Sequence, residues 1–315
     1  MKKTYIIIFF IVFKFCYSQG KSGKVLAEKL SGKTFTIEGI VNYANKNISD
    51  DYEKAKFFYY WIGSNIKYDN ELIEKMSSPN YNYDLDYSYN LSPKLIFEKK
   101  KAVCYGYSVL FKYFMDKVDI SCLIVSGHIR DERNHYLNLN KDSDFSHAWN
   151  VIEINEKWKI VDSTWGNSGE IEVSDYYFDI LPERAILTHF PENPKWQLLE
   201  NPLTLEEFNK SIYINAIWFK IGFDQIPKVL KDDKYYYFTY KTNSDKLDVN
   251  IEISYDNIKF ESLTKITKIQ QDDINYLRFE KKIVTKLLYV KVNITKIDEE
   301  EFTIKYDDVI NFKLQ

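Results

Sequence analysis

Ser146-His147-Ala148-Trp149-Asn150-Val151-Ile152-Glu153-Ile154-Asn155-Glu156-Lys157-Trp158-Lys159-Ile160-Val161-Asp162 reads as two β-strands joined by a turn. Trp149, Val151 and Glu153 alternate with Ala148, Asn150 and Ile152, and Trp158, Ile160 and Asp162 return after Asn155-Glu156. Register decides what this hairpin can do. A loop of two or four residues pairs Ile154 with Lys157 and sets Asn150 opposite Val161. His147 and Asp162 are then diagonal neighbours on one face, roughly 7–8 Å apart at the backbone, which their side chains can bridge. A three-residue loop puts them on opposite faces. Taken singly, each has a plain structural reading: a strand histidine hydrogen-bonded in the core, and an aspartate capping the turn at Ser163.

Upstream, Val103-Cys104-Tyr105-Gly106-Tyr107-Ser108 opens an apolar run in which Val109, Leu110, Tyr113 and Phe114 recur at spacings of three and four. That spacing predicts a helix starting at Cys104. Free N–H groups and the positive end of the dipole at a helix start stabilise a thiolate. The same N–H groups can receive an oxyanion during acyl transfer. An isolated cysteine is more often a small buried hydrophobe. A cysteine, a histidine and an aspartate in this order supply a nucleophile, a base and an orienting carboxylate. Cys104, His147 and Asp162 are therefore the candidate catalytic residues, with Tyr105, Trp149 and Trp165 beside them as candidate substrate-binding residues.

The stretch resembles the transglutaminase-like superfamily, whose members share a papain-like Cys-His-Asp core. Ala55-Lys56-Phe57-Phe58-Tyr59-Tyr60-Trp61-Ile62, then Asn65-Ile66-Lys67-Tyr68-Asp69, resembles that family's helix and its N-I-x-Y-D ending. Tyr177-Phe178, Pro182, His189-Phe190-Pro191 and Lys195-Trp196-Gln197-Leu198-Leu199 resemble the branch that includes the kyphoscoliosis peptidase and fungal cytokinesis proteins. The resemblance runs from about Asp51 to Leu199. It implies that Cys104 is the nucleophile, His147 the base and Asp162 the orienting acid. It leaves the segment from Lys67 to Ser92 and everything after about Lys228 unmatched.

A formal net charge of -3 gives no basic surface for nucleic acid. Lys2-Lys3, the apolar run Tyr5 to Phe13 and Cys16-Tyr17-Ser18 read as a cleaved secretory signal peptide over residues 1–19. Lys14 interrupts the run, which is shorter than the ~20 residues a span needs, so no span is expected in the mature chain. Secreted, periplasmic or cell-surface placement follows. Of 3 cysteines, Cys104 and Cys122 remain after cleavage, and in an oxidising compartment a disulfide between them is the rival reading. Cys122 lies in Ile120-Ser121-Cys122-Leu123-Ile124-Val125, a predicted buried strand, which favours two free thiols. Cys104, Cys122, His128 and His135 lack zinc-site spacing. No metal and no cofactor are expected, and no calcium loop is visible.

The rest of the chain divides as follows. Residues 20–50 are a lead-in of mixed strand and helix character, and 51–200 form the catalytic domain. That domain begins with an amphipathic helix over Asp51 to Ile66, whose stripe is Ala55, Phe58, Tyr59 and Ile62. Met76 to Asn90 is a tyrosine-rich loop that either walls a groove or packs as surface. Ser92-Pro93 caps a short helix. Lys99, Lys100 and Lys101 form a solvated run that adds at most a small screened charge near Cys104. His189 is the runner-up base and reads as structural. Residues 201–228 connect, with Thr204 and Glu207 as a capping box. Residues 229–315 show six alternating runs, at Tyr235 to Tyr240, Leu247 to Ser254, Ile258 to Phe260, Ile274 to Phe279, Leu287 to Ile294 and Phe302 to Tyr306. They predict a sandwich of roughly seven strands, a candidate for docking a protein partner. The fold class is α+β: a transglutaminase-like catalytic domain of helices packed on an antiparallel sheet, then a smaller all-β domain. The expected function is cysteine-dependent acyl transfer on a protein or peptide, by hydrolysis or cross-linking through a thioester. The alternative is a non-catalytic binding module on the same fold.

Overall fold

Asn155 and Glu156 both take left-handed backbone angles, with φ of 52° and 62°. This two-residue turn has the primed geometry that matches strand twist. It pairs Ile154 with Lys157 and Asn150 with Val161, the register that places His147 and Asp162 on one face.

The protein is described by a computed structural model covering residues 22–315, except 31, 77, 80, 84–86, 137, 141, 144–145, 168–171, 243 and 298–301. The signal-like segment 1–19 lies outside the described residues. The first helices are α1 (Gly23–Glu28), α2 (Ile37–Asn47), α3 (Asp51–Asn65), α4 (Asn70–Met76), α5 (Pro93–Lys99) and α6 (Cys104–Lys117). The first strands are β1 (Lys67–Tyr68), β2 (Lys101–Ala102), β3 (Cys122–Ile129), β4 (His147–Ile154), β5 (Lys157–Val161), β6 (Phe178–Ile180) and β7 (His189–Pro191). Strands β3 to β7 form an antiparallel sheet in the order β6-β5-β4-β3-β7. Pro191 sits in the edge strand β7, where a missing N–H is tolerated.

Asp50 and Ser92 cap α3 and α5 by accepting from Glu53 and Leu95 N–H, and Pro93 opens α5. The predicted stripe on α3 is too narrow, because every residue from Phe57 to Gly63 is buried. The lead-in accounts for the excess. It forms helices without a strand among its described residues, and these cover the face of α3 turned away from α6. Gly23 N–H donates to Glu53 Oε2 at 2.6 Å. The Tyr43 and Phe57 rings stack at 5.9 Å. On the other side Phe58 stacks on Phe114 of α6 at 4.5 Å. Leu26, Ile40, Phe58, Phe114 and Val151 therefore share one core.

Helix α7 (Pro182–Ala185) lies between β6 and β7, and the connector holds α8 (Leu205–Lys210), β8 (Tyr213–Ile214) and α9 (Ile217–Lys220). Thr204 and Glu207 form the expected capping box on α8. The final strands are β9 (Lys228–Lys231), β10 (Tyr235–Tyr240), β11 (Leu247–Ser254), β12 (Glu261–Ser262), β13 (Thr267–Gln271), β14 (Ile274–Glu280), β15 (Leu288–Ile297) and β16 (Thr303–Leu314). They build sheets β13-β14-β10-β9 and β12-β11-β15-β16-β8. The sheets face each other across a second core, in which Phe238 stacks on Phe312 at 6.1 Å. The sandwich has more strands than expected. Its short strand after Asp256-Asn257 lies at Glu261–Ser262 rather than Ile258 to Phe260, and β8 comes from the connector. Among the described residues no helix is long and apolar enough to cross a membrane.

Candidate active site

Cys104 is the first residue of α6, and three contacts fix that helix start. The parallel pair β1–β2 holds Ala102, whose carbonyl accepts from Asp69 N–H at 2.9 Å. Asn90 Oδ1 accepts from Val103 N–H at 2.9 Å. Tyr107 O–H donates to Ile66 O at 2.6 Å, joining α6 to the end of α3. Gly106 is required here, since a Cβ on it would lie 2.4 Å from Asn90 Oδ1. The Asn-Ile-Lys-Tyr-Asp motif thus acts as a brace under the cysteine. Asp69 is buried, bonds Tyr89 O–H, and accepts from Leu72 N–H at 3.1 Å.

Strand β4 is tied to α6 by Asn150, a fully buried amide. Its Nδ2 donates to Ser108 O at 3.1 Å and Leu123 O at 3.3 Å. This bracket sets His147 against Cys104, close enough that each shifts the other's titration. His147 Nε2 donates to Asp162 Oδ2 at 2.8 Å, which leaves Nδ1 as the ring nitrogen available to sulfur. Asp162 is fully buried, and its other oxygen accepts from Thr164 and Trp165 N–H, both at 2.9 Å.

These contacts have electrostatic consequences. Burial raises the Cys104 thiol, but the His147 hydrogen bond and charge and the Ala148 N–H outweigh it, so the net shift is downward. For His147, burial lowers the imidazole value and the Asp162 charge and hydrogen bond more than restore it, leaving it well raised. For Asp162, burial raises the carboxyl, and His147 and His189 pull it well below the carboxylate range. Together these shifts favour a thiolate–imidazolium pair on a buried carboxylate. Cys104 itself is partly exposed, as a working nucleophile must be. Tyr107 N–H is the first in α6 to bond back along the helix, to Val103 O. The N–H groups of Cys104, Tyr105 and Gly106 precede it and lie at the positive end of the helix.

His189 takes an unexpected position. The sequence reads it as structural, yet its Nε2 donates to the same Asp162 Oδ2 at 3.1 Å. His147 and His189 lie 5.8 Å apart, centroid to centroid, with Trp149 and Trp165 packed against both. Trp149 is 1% exposed, so it supports the histidine rings from behind. Trp165 is partly exposed and lines a cavity of about 320 Å³ with Arg133, Tyr177, Thr188 and Lys220. Tyr105 is partly exposed and contributes, after burial and the charges of Cys104 and Tyr83, to raising Tyr87. Burial and then the Cys104 charge push Tyr68 up to about 12. Tyr68 and Tyr87 thus lie within reach of the Cys104 charge, and within the tyrosine-rich loop Tyr81 and Tyr87 pack against the core. Within the lysine run Lys99 is exposed and Lys101 is partly so. Lys101 pairs with Asp69 and Glu71, and Lys100 lies over the Phe97 ring at 3.4 Å.

His147, Asp162 and His189 bring one metal-capable atom each within 4.8 Å. Both ring nitrogens donate to one carboxylate oxygen, so hydrogen bonding accounts for the closeness, and a cation would have to displace both protons. Cys104, Cys122, His128 and His135 form no such group among the described residues. Cys104 and Cys122 are both free thiols. Burial pushes Cys122 up to about 12. On a chain freed of residues 1–19, and so of Cys16, iodoacetamide at neutral pH is therefore expected to label one thiol in the native state and a second only in urea, as counted by intact mass. Two labels on the native chain, or none, would contradict this.

A helix-borne cysteine facing a histidine and an aspartate on an antiparallel sheet defines a transglutaminase-like fold. Residues 39–163 match the model of the transglutaminase-like superfamily, and this part of the chain is a transglutaminase-like domain. The chain is 28% identical over 213 residues to the kyphoscoliosis peptidase of Mus musculus, covering 62% of this chain and 30% of that protein. It is 24% identical over 208 residues to hillarin of Drosophila melanogaster, covering 60% and 24%. It is 23% identical over 122 residues to cytokinesis protein 3 of Schizosaccharomyces pombe, covering 36% and 14%. The matched part is under a third of each relative's length. A solved TGase structure is 21% identical, covers 49% of this chain and 34% of its own, and has a TM-score of 0.32. That of a putative cysteine protease from Cytophaga hutchinsonii is 20% identical, covers 48% and 40%, and scores 0.25.

Proposed function

We propose that this chain is an exported cysteine-dependent acyl-transfer enzyme acting on protein or peptide amides. The observation that carries the reading is His147 set beside Cys104 and hydrogen-bonded at 2.8 Å to the buried Asp162 carboxylate, with the thiol lowered. The Cys104 thiolate attacks the amide carbonyl, and the oxyanion meets the N–H groups at the α6 start. The His147 imidazolium gives its proton to the departing amine, leaving a thioester. His147 then takes a proton from water or from an amine, which attacks the thioester and frees the thiol. Similarity to a protein named a peptidase supports the hydrolytic branch. The charged start and apolar run of residues 1–19 support export.

The test is the rate of Cys104 alkylation by iodoacetamide against pH, beside the His147→Ala variant. A thiol titrating near ~8.5 is only about 0.3% ionised at about pH 6, so a lowered thiol gains ionised fraction there and loses part of that as a weaker nucleophile. The wild type should react about tenfold faster than the variant there. Equal rates and an ordinary thiol titration would leave the non-catalytic binding module as the better account.

A further inference from the structure

We propose that His189 is a positioning residue, one that shares the Asp162 carboxylate with His147 and holds it in the geometry that activates Cys104. The proposal rests on the enzyme reading above and deepens it. Asp162 Oδ2 accepts from two imidazoles, His147 at 2.8 Å and His189 at 3.1 Å. A carboxylate only accepts, so both Nε2 atoms carry protons. The far nitrogen of His189, Nδ1, lies 2.8 Å from Thr188 Oγ1. A neutral His189 needs a donor there, and the Thr188 hydroxyl supplies it. That hydroxyl also lies 3.4 Å from Ala185 O. The line runs Thr188, His189, Asp162, His147, Cys104.

The fold builds this line from distant parts. His189 lies on β7, the sheet edge, and His147 on β4, with β3 between them. Gly127 of β3 pairs with both His147 and Pro191. Having no side chain, it leaves the face between the two outer strands open for the histidines and the Trp149 ring. The charged groups that act on His189 are Asp162 and His147. Tyr59 from α3 also lies within reach of the Asp162 charge. A filler on this face would need no ring nitrogens aimed in two directions. With its fourth donor gone, Asp162 would bind the His147 proton less selectively and its oxygen would be free to turn.

The experiment compares the pH profile of Cys104 alkylation in the wild type, His189→Gln and His189→Asn. The glutamine amide nitrogen falls near Nε2 and keeps the bond to Asp162. The asparagine amide reaches only the Nδ1 position beside Thr188. We expect His189→Gln to titrate with the wild type, and His189→Asn to shift upward by about 0.5–1 pH unit. If His189→Asn does not fold, His189→Phe is the donorless variant, with the same expected shift. A donorless variant that titrates with the wild type overturns the positioning role while the enzyme reading stands. A glutamine variant shifted as far as the donorless one also overturns it. An ordinary thiol titration in the wild type removes the enzyme reading and this proposal with it.

Discussion

Replacing Asp162 by asparagine is expected to return Cys104 to an ordinary thiol titration and to cut any turnover by about 10³–10⁴-fold. The carboxylate accepts four hydrogen bonds, two from backbone N–H and two from imidazole. An asparagine has one acceptor oxygen. If that oxygen keeps Thr164 and Trp165, the amide N–H₂ faces the two ring nitrogens as a donor. His147 must then accept at Nε2 and carry its proton on Nδ1, toward sulfur, so it can no longer take the thiol proton. The stability of the variant should follow pH in a defined way. Asp162 has a depressed folded value, so its stabilisation is present above ~3.9 and is lost as pH falls through the folded value. His147 has a raised folded value, so its stabilisation is full below ~6.5 and is lost as pH rises through the folded value. Both are complete between ~4 and ~6.5, and there the wild type should exceed the variant by about 3 kcal/mol in urea unfolding. The gap should narrow at more acid and more alkaline pH. A folded variant with an unmoved Cys104 titration would show that the carboxylate does not orient the imidazole.

The legible parts of this fold are those written in local periodicity. The Asn155-Glu156 turn, the alternation around it and the spacing after Cys104 each depend on residues within a few positions. The structure gives the same hairpin register and the same helix start. Tyr235 to Tyr240 and Leu247 to Ser254 likewise form strands with those bounds. What stays hidden depends on pairing between distant segments. His189 sits in a three-residue strand between Thr188 and a Phe-Pro pair, too short to show a period, and only its pairing with β3 carries it to Asp162. Trp149 escapes a sequence reading for a related reason. Seven of the eight residues of β4 are buried, because the sheet is covered on both sides, so alternation cannot tell an inner face from a groove. The breadth of the α3 core is also invisible, because α1 and α2 cover a face that the helix alone would leave to solvent. Arg130 is a further case. It is 1% exposed, with its guanidinium on Ser211 and over the Phe208 ring at 3.9 Å, and it looks like a loop residue in the sequence.

Substituting Gly127 by alanine should produce a large loss of stability for a single added methyl group near the site. An ideal Cβ there would lie 2.3 Å from Phe190 O, 2.7 Å from Trp149 Cη2 and 2.8 Å from Pro191 Cα. Two of those atoms are backbone of the neighbouring strand and cannot rotate away. Relief requires β7 to move off β3, which costs its three paired positions, Gly127 with Pro191, His128 with Phe190 and Ile129 with His189. Overpacking of this kind costs about 3 kcal/mol, the upper end of its usual range. The same displacement carries His189 away from Asp162 and pushes on the ring of Trp149 behind His147. One methyl should therefore both lower the urea midpoint and raise the Cys104 titration. Gly32→Ala is the contrast. Gly32 has φ of 73°, and a Cβ added to it would meet nothing within 4 Å, so only backbone strain of about 1 kcal/mol is expected. It should leave the Cys104 titration where it was. Equal losses in the two variants would mean that close strand approach at Gly127 has no special cost. A Gly127→Ala protein that is destabilised yet keeps the wild-type Cys104 titration would mean that β7 and its histidine are not coupled to the thiol.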